Sequence, residues 1–186
     1  MKKQSRHKFC ILHSAFCISA AGRRGFSLLE LIVVMLVISI LAVLAIEKIT
    51  TVLSSTRVQL AANELSVNLR YIRNMAMDQE RTTRIQFYVV SNSYQVFVSD
   101  ATGTNYVSAQ DPVKQSSWLV TISDRFSGVA LTNVNIGGSN TVYFSRTNGI
   151  PCYDAGLTPL TTNGIIQFNA GLTITIAPDT GYVDLK

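Results

Sequence analysis

Residues 26 to 46, FSLLELIVVMLVISILAVLAI, form a 21-residue run whose only charge is Glu30. About 20 apolar residues suffice to cross the hydrocarbon core of a bilayer as a helix, so the run predicts a transmembrane helix. From residue 47 the pattern stays helical but gains a second face. Val58, Ala61, Leu65, Leu69, Ile72 and Ala76 recur at intervals of three and four, with Gln59, Asn63, Ser66, Arg70 and Asn74 opposite them. No glycine or proline interrupts residues 26 to 81, which predicts one continuous helix of about 56 residues, roughly 84 Å long at 1.5 Å per residue. Its first part suits lipid, and its second part suits packing on a head.

Beyond residue 82 the period falls to two. Strands are expected at 83–90, 94–99, 118–123, 129–136, 141–146, 165–169, 172–177 and 182–185. The turn chemistry between them comes from SNS, DATGTN, IGGSN, RTNGIP and PDTG. A long helix followed by short antiparallel strands places the chain in the α+β class. Four segments are expected: a leader at 1–25, a transmembrane helix at 26–46, its amphipathic continuation at 47–81, and a β-rich head at 82–186.

Charge sharpens this division. The formal net charge is +5, yet residues 1–25 hold six basic residues (Lys2, Lys3, Arg6, Lys8, Arg23, Arg24) and no acid. The remainder carries ten basic and eleven acidic residues, so nothing outside the leader has the basic surplus that phosphate backbones attract. The basic bias ahead of the apolar run predicts a cytoplasmic N-terminus and a head on the far side of the membrane. His7, His13, Cys10 and Cys17 also lie in the first 25 residues, leaving Cys152 as the one cysteine beyond them. Without the leader the chain has no histidine and one thiol. It then lacks the residues for an internal disulfide, a Cys/His zinc site, a Ser-His-Asp triad or a Cys-His pair.

FCILHSAFCISAA, residues 9–21, has some features of a secretory signal core. Cleavage there would leave a longer apolar run immediately afterwards, and Phe16 stands where a lipoprotein signal needs a small residue before Cys17.

Glu30 is the anomaly of the span. A carboxylate within the bilayer costs about 2.5 to 3.5 kcal/mol on insertion scales. An acid one turn from the boundary can snorkel to the headgroups, and that plain explanation is weighed against the rest of the string. RRGFSLLE, residues 23–30, joins basic residues, Gly25, Phe26, Ser27, two leucines and Glu30 to a long apolar run. It resembles the class III signal of type IV pilins and type II secretion pseudopilins. The resemblance implies that a prepilin peptidase cuts between Gly25 and Phe26 on the cytoplasmic side and methylates the new amine of Phe26, and that Glu30 is the family's glutamate. Glu30 would then lie one turn from the amine created by the cut, able to neutralise it within a subunit or between neighbours. Glu47 stands where the family often carries a proline, so no proline kink is expected here.

LRYIRNMAMDQERTTRIQFYVVSNSYQVFV, residues 69–98, looks like the H-type minor pseudopilins and related minor pilins, with a helix end carrying Arg73, a polar turn and a hairpin. VYFSRTNGIP and ITIAPDTGYVDL are similar to that group's closing strands. The resemblance implies a non-enzymatic structural subunit of a trans-envelope pseudopilus, held in the inner membrane before assembly. It also implies other pseudopilins, a prepilin peptidase and an inner-membrane assembly platform as partners, with no cofactor and no small-molecule substrate. A minor type IV pilin of DNA uptake or pilus assembly is the alternative. GYVDLK offers one lysine beside an aspartate, whereas salt-sensitive phosphate binding needs several cations. Asp179 with Asp184, or Asp100 with Asp111, could be imagined as a catalytic pair, but these acids suit solvated turns. DATGTN and PDTGYVD lack the dense acidic spacing of a calcium loop, so no metal is expected. Met75 and Met77 are expected to pack in the core, and Cys152 to be a buried small residue rather than half of an intermolecular disulfide.

Overall fold

The computed structural model describes residues 27–186. Two compact units divide at Leu44 and Ala45. Among the described residues the first contains only the beginning of a helix, α1 (Leu28–Asp78), and the second contains the rest of α1 and all the strands.

In the second unit α1 buries the face its periodicity marks out: Val58, Ala61, Leu65, Leu69, Ile72 and Ala76 are all buried. Ala62 and Ser66 join them, so Ser66 is not on the polar face to which the pattern assigns it. Its hydroxyl donates back to the Asn63 carbonyl at 2.8 Å, which lets a serine enter the core with its proton satisfied locally.

The helix stops at Asp78, short of the expected Arg81, and it stops without a glycine. Arg81 N–H donates to Ala76 O (3.1 Å) and Glu80 N–H to Met77 O (3.3 Å), a Schellman cap with Glu80 in the left-handed region at φ 52°. An L-residue there costs about 1–2 kcal/mol, part of which glycine would return through its freer unfolded chain. Glu80→Gly is therefore expected to stabilise the protein by about 1 kcal/mol and raise Tm by about 3 °C in a thermal melt. A lowered Tm would show that the Glu80 side chain makes up for its backbone.

The expected antiparallel strands form two sheets. The first comprises β1 (Thr83–Tyr88), β2 (Ser93–Ser99), β3 (Tyr106–Ser108), β4 (Leu119–Thr121), β6 (Thr141–Phe144) and β7 (Pro151–Cys152). The second comprises β5 (Leu131–Asn135), β8 (Gly164–Phe168), β9 (Thr173–Ile176) and β10 (Val183–Leu185), in the order β10-β9-β8-β5. In the first sheet β1 lies between β2 and β6, with β7 beyond β6; β3 and β4 both pair with β2, β3 against Phe97–Ser99 and β4 against Ser93–Gln95. The strand expected at 118–123 is cut short because the chain turns into a short helix, α2 (Ile122–Arg125).

Alternation along β1 sends Ile85 and Phe87 inward with Val96 and Tyr94 of β2 opposite them. The buried Tyr94 hydroxyl accepts from Asn68 Nδ2 at 2.7 Å, which fastens the sheet to α1. On the other face the Arg84 guanidinium carbon lies 4.2 Å from the Phe97 ring centre and 4.9 Å from that of Tyr106, securing the short edge strand β3 by stacking.

Two asparagines join the sheets. Asn92, in the β1–β2 turn, donates to Val129 O (2.6 Å) and accepts from Leu131 N–H (2.8 Å). Asn169, after β8, donates to Gly128 O (2.7 Å) and accepts from Ala130 N–H (3.0 Å). Each amide acts as a stretch of backbone, so residues 128–131 are held from both sides.

Candidate assembly site

The first turn of α1 holds the described part of the predicted site. Leu31 N–H donates to the Ser27 carbonyl at 3.2 Å, and Glu30 N–H to Ser27 Oγ at 3.1 Å. Ser27 is therefore the N-cap, and Glu30 lies three residues on, in the first turn, where the helix dipole favours a carboxylate. Gly25 and Phe26, the expected cleavage and methylation residues, lie outside the described residues. Ser27 is the member of this group whose role the sequence reading missed. The signal was present, since Ser-Leu-Leu-Glu has the S-x-x-E spacing of a capping box directly before an apolar run.

Downstream of the cap, every residue from Leu28 to Leu44 is exposed, apolar side chains included. A helix that is hydrophobic all round and buried nowhere has the surface of a membrane span or of a bundle member. Farther along α1, Ile49, Leu53, Leu60, Val67 and Tyr71 are also exposed, on the side opposite the buried row. The helix thus carries two apolar faces within the second unit, one filled by its own sheets and one bare.

The end of that helix is tied into both sheets by arginines. Arg73 Nε donates to the Gly149 carbonyl at 3.3 Å in the β6–β7 turn, and Arg70 donates to the Val183 carbonyl at 2.7 Å on β10. Gly181, in the β9–β10 turn, has φ 64°, and a Cβ on it would lie 2.9 Å from the Gly149 carbonyl oxygen and 3.2 Å from Arg73 Nε. Arg73, RTNGIP and PDTG, separate features in the sequence, thus meet in one place.

Asp100, Asp111 and Asp184, three of the acids considered as catalytic or calcium ligands, accept hydrogen bonds from neighbouring residues of their own segments. Asp100 accepts from Thr102 Oγ1 (2.7 Å), Asn105 Nδ2 (2.9 Å) and Thr104 N–H (3.0 Å), bonds that hold its carboxyl well below the usual carboxylate range. Asp111 Oδ1 accepts from the amides of Val113 and Lys114, and Asp184 Oδ1 from that of Leu185. Met75 packs against the core, and Met77 lies half-buried with its sulfur near Gly149. Cys152 is buried, its thiol pushed up to about 11 by burial and by the nearby Asp154. At neutral pH it stays protonated and unreactive.

The profile of the prokaryotic N-terminal methylation motif matches residues 21–46. The N-terminal segment therefore carries the methylation motif of pilin-type proteins. Two structures of the minor pseudopilin EpsH from the type II secretion system of Vibrio cholerae align with this pilin-like chain at TM-scores of 0.50 and 0.52. Identity is 12% and 11%, and each alignment covers 70% of this chain and 96% of the solved EpsH chain. The type IV minor pilin FimU of Pseudomonas aeruginosa aligns at a TM-score of 0.46 and 17% identity, over 71% of this chain and 90% of its own. No curated protein sequence matches significantly. The fold is pilin-like: a long N-terminal hydrophobic helix packed on antiparallel sheets. The motif is that of a family whose members are non-enzymatic structural subunits, processed by a prepilin peptidase and assembled into fibres with other pilins. The hydrophobic helix is consistent with inner-membrane anchoring before assembly.

Proposed function

We propose that this pilin-like chain is a minor pseudopilin of a type II secretion system. The observation carrying the reading is the joint presence of the methylation motif at residues 21–46 and a fold that matches nearly all of the solved EpsH chain. The precursor spans the inner membrane once, with Arg23 and Arg24 on the cytoplasmic side and the head in the periplasm. Prepilin peptidase cuts between Gly25 and Phe26 and methylates Phe26. The new cationic amine pairs with Glu30, which removes the penalty of a lone carboxylate in hydrocarbon. Once extracted through the assembly platform, the subunit packs its exposed apolar helix among those of other pseudopilins. The bare row from Ile49 to Tyr71 offers a further apolar face for packing of this kind.

Mass spectrometry of the protein from a host with a competent peptidase should find N-methyl-Phe26 at its N-terminus. An intact leader, or a cut elsewhere, would overturn the assignment.

A further inference from the structure

We infer that the outer face of the first sheet docks an acidic side chain of a partner protein, an aspartate or glutamate with an apolar neighbour, and that Arg84 is the residue that receives it. Arg84 stands opposite Phe97 of β2 and Tyr143 of β6. Its guanidinium carbon lies 4.2 Å from the centre of the Phe97 ring and 4.9 Å from that of Tyr106 on β3. Tyr106 in turn meets Tyr143 edge-on, with ring centres 5.8 Å apart. Three rings from three strands thus frame one cation.

Packing alone does not call for arginine at this position, because a methionine would fill the space between the rings and make favourable contacts with them. Arginine instead leaves its Nε buried without a hydrogen-bond partner, which is unfavourable. Neither Nη is buried in this way, so the outer edge of the fork faces solvent. Among the described residues no acid pairs with it: the ion pair is that of Arg125 with Glu64. Asp100, whose charge also acts on Tyr106, commits both carboxylate oxygens to Thr102, Thr104 and Asn105. Arg84 therefore presents a positive fork, fixed by its two faces and without a counter-charge of its own. A carboxylate accepts two parallel N–H bonds from such a fork, and the stacking has already restricted the rotations that binding would otherwise freeze. The rings offer apolar contact to the residue beside the acid and shield the new pair from water, which strengthens it. A nucleic-acid backbone fits less well, since it is held by several cations and this frame contains one.

The test uses the full-length protein with isotope-labelled arginine in non-ionic micelles. Its probes are acetyl-Phe-Glu-Ser-amide, acetyl-Phe-Gln-Ser-amide, inorganic phosphate and a thymidine oligonucleotide. The Arg84 Nε–H signal, assigned by its loss in Arg84→Lys, should shift saturably with the glutamate peptide. That peptide should bind about tenfold more tightly than the glutamine peptide, the order expected of a charge-assisted, two-bond pair. Arg84→Lys keeps the charge without the fork and should lose most of this preference, and Arg84→Met, which keeps the stacking alone, should lose all of it. Equal binding of the two peptides to the wild-type protein would overturn the inference, as would the absence of a saturable shift. This comparison is made on the wild-type protein, so it decides the matter even where a variant folds poorly. Displacement of the glutamate peptide by lower concentrations of phosphate or oligonucleotide would overturn it in favour of a phosphate site.

Discussion

With Glu30 replaced by alanine, the head should fold as before, the leader should still be removed, and the subunit should fail to enter the fibre. The separation follows from position. Glu30 lies in the first turn of a helix segment exposed along its whole length, far in sequence from the buried core that starts at Val58. Losing it therefore leaves the core unchanged, so circular dichroism and melting of the head should match wild type. In the assembled bundle the effect reverses, because the Phe26 amine would be left charged and unpaired among apolar helices. Breaking a buried ion pair by removing one partner costs about 3 to 5 kcal/mol, more than a hundredfold in an association constant. Cross-linking to neighbouring subunits, or recovery in a sheared fibre fraction, reads this directly. Glu30→Gln should fail nearly as badly, since an amide cannot neutralise an ammonium. Wild-type incorporation of either variant would return Glu30 to the role of an interfacial acid reaching for headgroups.

The second large effect is expected in the head. Gly181→Ala should cost about 3 kcal/mol, combining a left-handed residue with overpacking against backbone. The added methyl would meet the Gly149 carbonyl oxygen at 2.9 Å, and that oxygen is held in place by Arg73. Gly171 provides the control: it too has positive φ, 80°, but a Cβ there meets nothing within 4 Å, so Gly171→Ala should cost only about 1 kcal/mol. Equal losses at the two positions in a denaturant titration would mean that the two turns do not press on each other.

The sequence was most informative where one physical rule acted alone. Burial of a helix face follows period directly, so all six residues marked along α1 are buried. The hairpins of β1–β2 and β9–β10 were legible because turn residues separate alternating runs. Competing rules hid the rest. Short β3 is a three-residue edge strand whose place depends on Arg84 reaching Tyr106, a contact distant in sequence. Proline at the start of β7 argues against a strand, yet Pro151 is tolerated at the sheet edge. Asn92 and Asn169, which hold residues 128–131 from both sides, look like ordinary turn residues until their partners are known. Glu80 concealed the end of the helix because it occupies a site usually given to glycine. At the candidate site the situation is different: the assignment of Gly25, Phe26 and Glu30 rests on the motif, with Gly25 and Phe26 outside the described residues, while the cap at Ser27 was overlooked although its spacing to Glu30 was in plain view.

The arginines at the end of α1 also have a mechanical consequence. A pull applied along the helix axis reaches the head through Arg73, anchored at Gly149 in one sheet, and Arg70, anchored at Val183 in the other. The load is shared by two sheets that are themselves laced together through residues 128–131. A fibre subunit wired this way resists having its strands peeled away one at a time, because tension on the helix draws on both sheets at once.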